Sequence, residues 1–557
     1  MRRMTYVLWL GITVVICASG WAVDVEVNKS GAVKTIQDAV NKIGNQGGTI
    51  TITDSGVYEE TVEIGSDMQR AGQPITLTST KKGAERPVIS PLKCLGPYVE
   101  ANKSERKTGL AVFIDGSFIS NIVLESNPEA EGKGSTGPCA AFIMADNVVM
   151  DNVLIRPRAG TSGCTDFPNS AVFLAQEGAG ESAEAGGRNC NGFIARNCEF
   201  LGVATDGVTE PDETGFSWLK SVDNGQFATF LRTDHYTNSD DQNVVITVEN
   251  CTFKYSYDAG IFFSNRSGGK GKLTLNVNDS FFDAFGKFQV GVRGCWLNVD
   301  RCRFSRACQG NHGDGENSAI RIQEQNGRIP DANISNSLFV NCGGAFGKKA
   351  YYGGVNNHNA GTVNVNHCTF DLCLSGVTLN NPKPESVLNV GNCLFTRIGY
   401  NSAPALDEAG FTLDPNAEPY ILWFMPNFDA ASKVSAVFNN YTDSGNGQLN
   451  ASNCLVFDIA DETTWEKGVD PDGTALNAGT VNLVDVQKVD PKLTNRDIFG
   501  DKPYELTAGS PAIDKAIAAA PDPGSKDLDG SARIANGKAD IGAQEFGATA
   551  IGEWPLQ

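Results

Sequence analysis

From about residue 118 to residue 456 the chain repeats a short pattern whose hydrophobic phase jumps by one residue at the same place each time. In Ile246-Thr247-Val248-Glu249-Asn250-Cys251-Thr252-Phe253, Ile246 and Val248 share one parity, and Cys251 and Phe253 share the other. A single strand alternates its side chains with period two and cannot make that jump. Two short strands joined by a bend at Glu249-Asn250 can. The jump recurs at Ile119/Ile122/Leu124, Met150/Val153/Ile155, Ala195/Cys198/Phe200, Val277/Ser280/Phe282 and Val299/Cys302/Phe304. It continues at Ile334/Ser337/Phe339, Val365/Cys368/Phe370, Val390/Cys393/Phe395 and Ala451/Cys454/Val456. The second bend residue is Asn121, Asn152, Asn197, Asn250, Asp279, Arg301, Asn336, His367, Asn392 or Asn453. All but Arg301 are Asn, Asp or His, the non-glycine residues that best tolerate a left-handed backbone. Stacked units of this kind predict an all-β, single-stranded parallel β-helix with one repeat per coil. The shortest spacing between repeat residues, from Ser280 to Cys302, is 22 residues, about one bare coil. Longer spacings carry loops, and the largest insertions fall at about 125–140, 202–243 and 400–448.

Before the repeats, Val23 to Val27 reads as a strand and Thr35 to Ile43 as an amphipathic helix with Ile36, Ala39, Val40 and Ile43 on one face. A helix there would plug the open end of the first coil. Gly47-Gly48 ends it, Thr49 to Thr53 begins the sheet, and the coils are expected to run to about Thr507. The chain therefore divides into a signal peptide at 1–22, a cap with the first coils at 23–110, the β-helix with its insertions at 111–460, and the last coils with a C-terminal segment at 461–557.

The signal reading rests on Arg2-Arg3, an apolar run from Tyr6 to Ala18, and Gly20-Trp21-Ala22. It predicts a secreted or cell-surface protein, with a membrane anchor as the alternative reading of a run too short to span comfortably. With a formal charge of −20 and a pI of 4.7, nucleic acid and anionic membrane are poor partners. A local basic stripe would still suit an acidic polysaccharide. Export permits disulfides. Yet Cys198, Cys251, Cys302, Cys368 and Cys393 exchange with Ser280 and Ser337 at one inward position, which reads as a stack of small buried residues. Cys342 and Cys373 could stack or bond, and Cys164 with Cys190 is the conventional disulfide candidate.

Two resemblances add to this. Thr35-Ile36-Gln37-Asp38-Ala39-Val40, Gly-Gly-Thr-Ile and Gly56-Val57-Tyr58-Glu59-Glu60 resemble the start of pectin-lyase-like β-helix proteins, which implies a right-handed solenoid. The Gly-x-Tyr-x-Glu string also resembles the first motif of pectin methylesterases, but that family's catalytic motifs have no match, so none of its catalytic residues carries over. Leu506 to Asp514, Asp527-Leu528-Asp529-Gly530, Arg533 and Ala539 to Glu545 are similar to the choice-of-anchor Q domain that closes many bacterial secreted β-helix proteins. That implies architecture and setting, and no reaction.

A second inward strand follows each bend at Gly260–Phe263, Gln289–Val292, Ala319–Ile322, Gly354–Val355 and Gly376–Leu379. Stacking these places Phe262, Arg266, Arg293, Arg321, Gln323, Asn356, His358 and Asn380 outward or just beyond, with Arg293 and Arg321 on neighbouring rungs. Loops at that edge supply Tyr255, Tyr257, Asp258, Lys287, His312, Asp314, Glu316, Tyr351 and Tyr352. Aromatics stack on sugar rings, Arg and Lys meet uronate carboxylates, and carboxylates hold Ca²⁺. The expected substrate contacts are Tyr255, Tyr257, Phe262, Arg266, Gln323, Asn356 and His358. Asp258, Asp314 and Glu316 are the candidate Ca²⁺ ligands.

β-Elimination needs a cation for the enolate and a base beside the carboxyl group, and Arg293, Arg321, Lys287 and His312 are the candidates. The bland alternative is a solvated ladder of charges on a β-face. A hydrolase would need paired carboxylates, suggested only by Asp240-Asp241 and Asp314/Glu316. His312-Gly313-Asp314-Gly315 is similar to part of polygalacturonases, whose paired-aspartate motif is absent. The leading expectation is a monomeric protein that binds an acidic polysaccharide, with cleavage by β-elimination as its catalytic form; the rival is a non-catalytic cell-surface or adhesive solenoid.

Overall fold

A computed structural model describes residues 22–66, 72–91, 98–99, 104–105, 108–126, 139–158, 170–175, 189–202, 229–235, 243–256, 259–265, 271–307, 318–343, 345–346, 349–350, 353–380, 382–399, 437–441, 447–459, 480–500, 502–517, 526–534 and 537–548. The signal segment and most of the three insertions lie outside the described residues. Among the described residues a complete coil contributes one strand to each of three parallel sheets. Sheet A holds 14 strands from Val23–Val27 to Thr480–Val484, sheet B 13 from Val57–Tyr58 to Gln487–Lys488, and sheet C 11 from Val62–Ile64 to Phe438–Tyr441. One coil runs Val244–Glu249, Thr252–Ser256, Ala259–Asn265 and returns to sheet A at Leu273–Asn278. The coils wind right-handed, the sense that connections between parallel neighbours of one sheet take. Val23–Val27 already pairs with Gly48–Ile52, so the sheet begins before the helix. The last strand ends at Lys488, so the coils stop short of the expected Thr507.

The phase jump is the corner between sheets A and B. All ten second-bend residues have φ between 49° and 56°, Arg301 included. Their side chains join rung to rung. Asn152 donates to Asn121 at 2.8 Å, Asn250 to Asn197 at 2.7 Å and Asn453 to Asn392 at 2.8 Å. Arg301 keeps the ladder polar in another way, with its guanidinium on Asp279 at 2.7 Å. A second left-handed column turns sheet B into the run toward sheet C. Tyr255, Ala284, Arg306, Asn341, Leu372, Arg397 and Asp458 have φ between 51° and 67°. Most of these residue types have no left-handed preference, so tertiary pairing imposes the conformation.

Inside, Phe200, Phe253, Phe282, Phe304, Phe339, Phe370 and Phe395 stack with neighbouring centroids 4.4 to 5.1 Å apart. That matches the rise of one strand spacing, so parallel coils put like rings face to face. Gly354 and Gly376 are required beside them, because a Cβ at either would lie 2.5 or 2.6 Å from Phe370 or Phe395. The inward thiols Cys198, Cys251, Cys302, Cys368, Cys393 and Cys454 are buried and free, as are Cys342 and Cys373, which stack without bonding. Cys190 is also a free buried thiol that donates to the Ile143 and Ala175 carbonyls, so the expected bond to Cys164 does not form; Cys164 itself lies outside the described residues.

The helix Ile36–Ile43 buries Ile36, Ala39, Val40 and Ile43 against the first coils. Its first turn is held by the Thr35 hydroxyl on Asp38 N at 3.1 Å and by the Glu60 carboxylate on Ile36 N and Gln37 N at 2.9 and 3.0 Å. Glu60 thus caps a helix; strand pairing does not use its side chain. Outside sheet A, Asn276, Asn298, Asn333, Asn364, Asn389, Asn450 and Asn482 form a second amide ladder, joined at 2.8 to 3.1 Å.

After Lys488 the chain turns back and lies along the outer face of sheet B. Ile498, Tyr504, Leu528 and Ala543 pack on Phe281, Leu338 and Val340, and Leu506, Ala512 and Ile541 pack on Leu394 and Leu455. Asp371 on sheet B, fully buried, accepts from Tyr504 Oη at 2.5 Å and from Arg397 Nε at 2.8 Å, with Arg496 at 3.6 Å. Burial alone would raise its pKa, but the two guanidiniums hold the carboxyl below the usual range. Arg303 reaches Asp529 at 3.2 Å, and His367 Nδ1 contacts the Asp540 carbonyl at 3.0 Å, so the bend His367 is structural. Asp527 organises a turn by accepting from Asp529 N at 3.1 Å and Ser531 N at 2.8 Å.

Four outcomes are expected. Asn250→Leu and Asn336→Leu should each cost about 1–3 kcal/mol through left-handed strain and a broken ladder; an unchanged Tm for both would refute the role of the bend. Asp371→Ala should destabilise by about 3–5 kcal/mol because it strands buried guanidiniums, and Tyr504→Phe by about 1 kcal/mol, both read by denaturant melts. Because the Asp371 pKa is lowered on folding, its contribution is present above the unfolded carboxylate pKa of about 3.9 and is lost as pH falls further. Mass-spectrometric counting after alkylation should find Cys251, Cys302, Cys368 and Cys393 unmodified in the native protein and modified once it is denatured without reductant.

Candidate functional site

With sheet B covered by the C-terminal segment and sheet A faced by its amide ladder, sheet C presents the chemically mixed surface. On its strands Ile261, Phe263, Val290, Val292, Ile320, Ile322, Val377 and Leu379 point into the core. The alternate residues form two outward columns. One runs Arg232, Phe262, Gly291, Arg321, Asn356 and Thr378. The other runs Ser264, Arg293, Gln323, His358 and Asn380.

Arg293 and Arg321 do lie on neighbouring rungs of one face. They are not in register, however: Arg293 pairs with Gln323, and Arg321 with Gly291. Arg321 compensates by reaching along its own strand, where its Nη2 donates to Gln323 Oε1 at 2.8 Å. Its charge is thereby delivered into the column of Arg293 and His358. At Gly291 the missing side chain is replaced by the Phe288 ring, since a Cβ there would lie 2.3 Å from it. Phe262 packs on Phe288 at 5.7 Å, and the guanidiniums of Arg293 and Arg232 lie 5.2 and 5.8 Å from the Phe262 centroid. Lys287 lies 5.6 Å from the centroid of Phe288. These aromatics hold cations over their faces, a use the sequence pattern did not suggest.

His358 is buried and its Nδ1 contacts Asn380 Nδ2 at 3.0 Å. Burial, with Arg321 and Arg293 nearby, pushes its pKa down to about 3. It is a neutral ring at ordinary pH. Asn356 is fully buried beside it in the adjacent column. Tyr255 sits at the left-handed corner leaving sheet B, at the edge of this face. Tyr257, Asp258, Arg266, His312, Asp314, Glu316, Tyr351 and Tyr352 lie outside the described residues. Among the described residues no group of three or more His, Cys, Asp or Glu is arranged to hold a metal.

The structure therefore brings together Arg293, Arg321, Lys287, Phe262, Gln323, Asn356 and His358. Arg232 joins them, and sequence reasoning missed it. It lies inside an insertion, although Phe230-Leu231-Arg232-Thr233 carries the alternation of a strand. Two cavities of about 580 Å³ lie elsewhere, one beside Glu199, Lys254 and Phe499 on sheet B and one under the cap helix beside Glu63 and Ile114. Neither contains a predicted site residue, and on the basic strip Arg321, Asn356, His358 and Asn380 are buried. Four cations, Arg232, Lys287, Arg293 and Arg321, thus share one face of a chain with formal charge −20. Chemically, such a face can bind carboxylates through planar guanidinium forks and sugar hydroxyls through the amides.

No protein-family model matches the chain, and no curated protein matches it. Among solved structures the chain overlays on pectate lyase Pel9A with a TM-score of 0.41 and 12% identity, over 95% of this chain and 98% of that one. An alginate lyase from Paenibacillus sp. str. FPU-7 gives 0.35 and 12%, over 68% and 96% of the two chains. A mannuronic acid specific polysaccharide family 6 lyase from human gut microbiota gives 0.36 and 10%, over 84% and 83%. Overlays this distant concern the winding of the chain and leave the reaction to the residues on the face.

Proposed function

We propose that this is an exported protein that binds an acidic, uronate-containing polysaccharide along the outer face of sheet C and cleaves it by β-elimination. The observation that carries the reading is the convergence of Arg293 and Arg321, through Gln323, on one column flanked by Lys287 and Arg232. In this reading Arg293 and Arg321 hold the uronate carboxylate and the enolate that develops from it. A positioned cation facing that charge contributes about 3 kcal/mol, about a hundredfold in rate. Lys287 or His312 takes the proton beside the carboxyl group. His358 is too weakly basic for that step, because burial and the two guanidiniums hold its pKa at about 3. Gln323, Asn356 and His358 contact the sugar, and Asp258, Asp314 and Glu316 would hold Ca²⁺. Export rests on the basic and apolar start of the chain, Arg2 to Ala22. No helix among the described residues is long and apolar enough to cross a membrane.

The test is a screen of uronate polysaccharides for the ultraviolet absorbance of the unsaturated product, with and without Ca²⁺, run beside a binding assay on the same polymers. Cleavage of at least one polymer is expected, with Arg293→Ala and Arg321→Ala each lowering kcat/KM about a hundredfold in proteins that remain folded by circular dichroism. Binding without cleavage would make this an adhesive solenoid. Neither binding nor cleavage of any uronate polymer would refute the reading.

A further inference from the structure

We infer that the cavity on the outer face of sheet B is a second binding site, for a small polyhydroxylated carboxylate such as a free uronic acid. It stands apart from the face of sheet C and does not rest on the function proposed for that face.

The cavity, of about 580 Å³, opens where the cover that the C-terminal segment lays on sheet B comes to an end. That volume is in the range of small-molecule sites. Its floor is the sheet itself. Glu199, Thr252 and Phe281 stand in register in one outward column, and Leu201 and Lys254 in the next. Phe499 of the C-terminal segment makes a wall, its ring nearly perpendicular to that of Phe281 with centroids 5.4 Å apart. Another side is the ladder of the first corner, where Asn250 donates to Asn197 at 2.7 Å. An amide carries two N–H donors and an acceptor oxygen, so a ladder bond that takes one N–H leaves bonding capacity for a ligand. Glu199, Thr252, Lys254, Asn250 and Phe499 are all partly exposed and reachable from solvent.

The charges select the ligand. The Lys254 ammonium lies 5.6 Å from the Phe281 centroid, and among the described residues no carboxylate forms an ion pair with it. Asp283, its register neighbour on the next rung, is taken by Arg306 Nε at 2.7 Å. Glu199 is taken by Arg86 at 3.0 Å, with side-chain exposures of 41% and 6%. Those two pairs cancel, and Lys254 is left as a cation that an anionic ligand can meet. Glu199 gives one oxygen to Arg86 and retains lone pairs that accept from hydroxyls. The site therefore calls for a carboxylate at Lys254, hydroxyls at Glu199, Thr252 and Asn250, and an apolar ring face against Phe499. A sugar acid meets all of these demands. A simple carboxylate lacks the hydroxyls, and a neutral sugar lacks the charge.

The experiment is calorimetric titration of the full chain with glucuronate and galacturonate, beside glucose and acetate as controls. Saturable binding of at least one uronate is expected, with glucose and acetate weaker by about tenfold or more, the worth of a hydrogen bond to a charged group. Lys254→Gln should weaken the uronate about tenfold while circular dichroism shows the fold intact, and Lys254→Arg, which keeps the charge, should bind nearly as the parent does. Arg321→Ala, on sheet C, should leave this binding unchanged. No binding of either uronate, equal binding of glucose, or parent-like affinity in Lys254→Gln overturns the inference. Binding that is lost in Arg321→Ala and kept in Lys254→Gln places the acid on sheet C, which overturns this site and leaves the function proposed for sheet C standing. Uronate polymers that neither bind nor are cleaved refute that function, and the monosaccharide titration still decides the cavity on sheet B.

Discussion

The left-handed corner between sheets A and B is the constraint on which the rest depends. Ten coils turn there through one residue at φ near 50°. Any coil that missed the turn would shift its following strand by one residue, and that would exchange the core and solvent faces of the strand. Because every coil makes the same corner, equivalent residues come to lie directly above one another. The phenylalanine stack, the inward thiols and both amide ladders are consequences of that alignment. Each aromatic pair then adds about 0.5–1.5 kcal/mol beyond its buried area. The Asn side chains add rung-to-rung bonds that satisfy polar groups at a corner where the backbone is strained.

The three faces of the solenoid have been put to different uses. On sheet B the C-terminal segment replaces solvent with an apolar contact and a few deeply buried ions. Asp371 is shared by Arg397, Arg496 and Tyr504, and Arg303 reaches Asp529. Such groups are tolerable only while all partners are present, since one ion left alone in the interior costs several kcal/mol. They therefore specify the docking of the segment more than they add to stability. The part of the chain that resembles a closing domain is integral to the coils it covers. On sheet A the exposed amide column is self-satisfied and uncharged. Sheet C is left to carry the cations, and there the groups are arranged along the axis as well as around it. Arg321 reaches two residues along its strand to meet the column of Arg293.

That displacement shows how a solenoid builds a site. Perfect stacking would set arginines directly above one another, where like charges repel. The two-residue offset separates the Cα positions, and Gln323 brings the head group of Arg321 back under control through one hydrogen bond. Phe262 and Phe288 spread the remaining charge over ring faces. Burial, with Arg321 and Arg293 nearby, keeps His358 neutral.

Much of the architecture was legible in the amino-acid sequence because it repeats. The phase jump located the sheet A and sheet B strands of each coil, the Asn, Asp and His residues located the first corner, and Ser exchanging with Cys marked the inward thiols as unpaired. The outer amide ladder was also present as Asn between two apolar residues in seven coils, Leu275-Asn276-Val277 among them. The second corner was not legible. Tyr255, Ala284, Leu372 and Arg397 have no preference for positive φ, and only the pairing of the strands on either side imposes it. Nor could the sequence tell that Glu60 caps the helix, that Cys190 stays reduced, or that residues after Lys488 fold back on sheet B, since each depends on a neighbour far along the chain. For the site, residue type and spacing selected Arg293, Arg321, Gln323 and His358 and put them on one face. Register decided which of them meet: it offset the arginines, filled Gly291 with Phe288, brought in Arg232 and set Asn380 against His358. Periodicity determines which way a side chain points, and contact between coils determines what it touches.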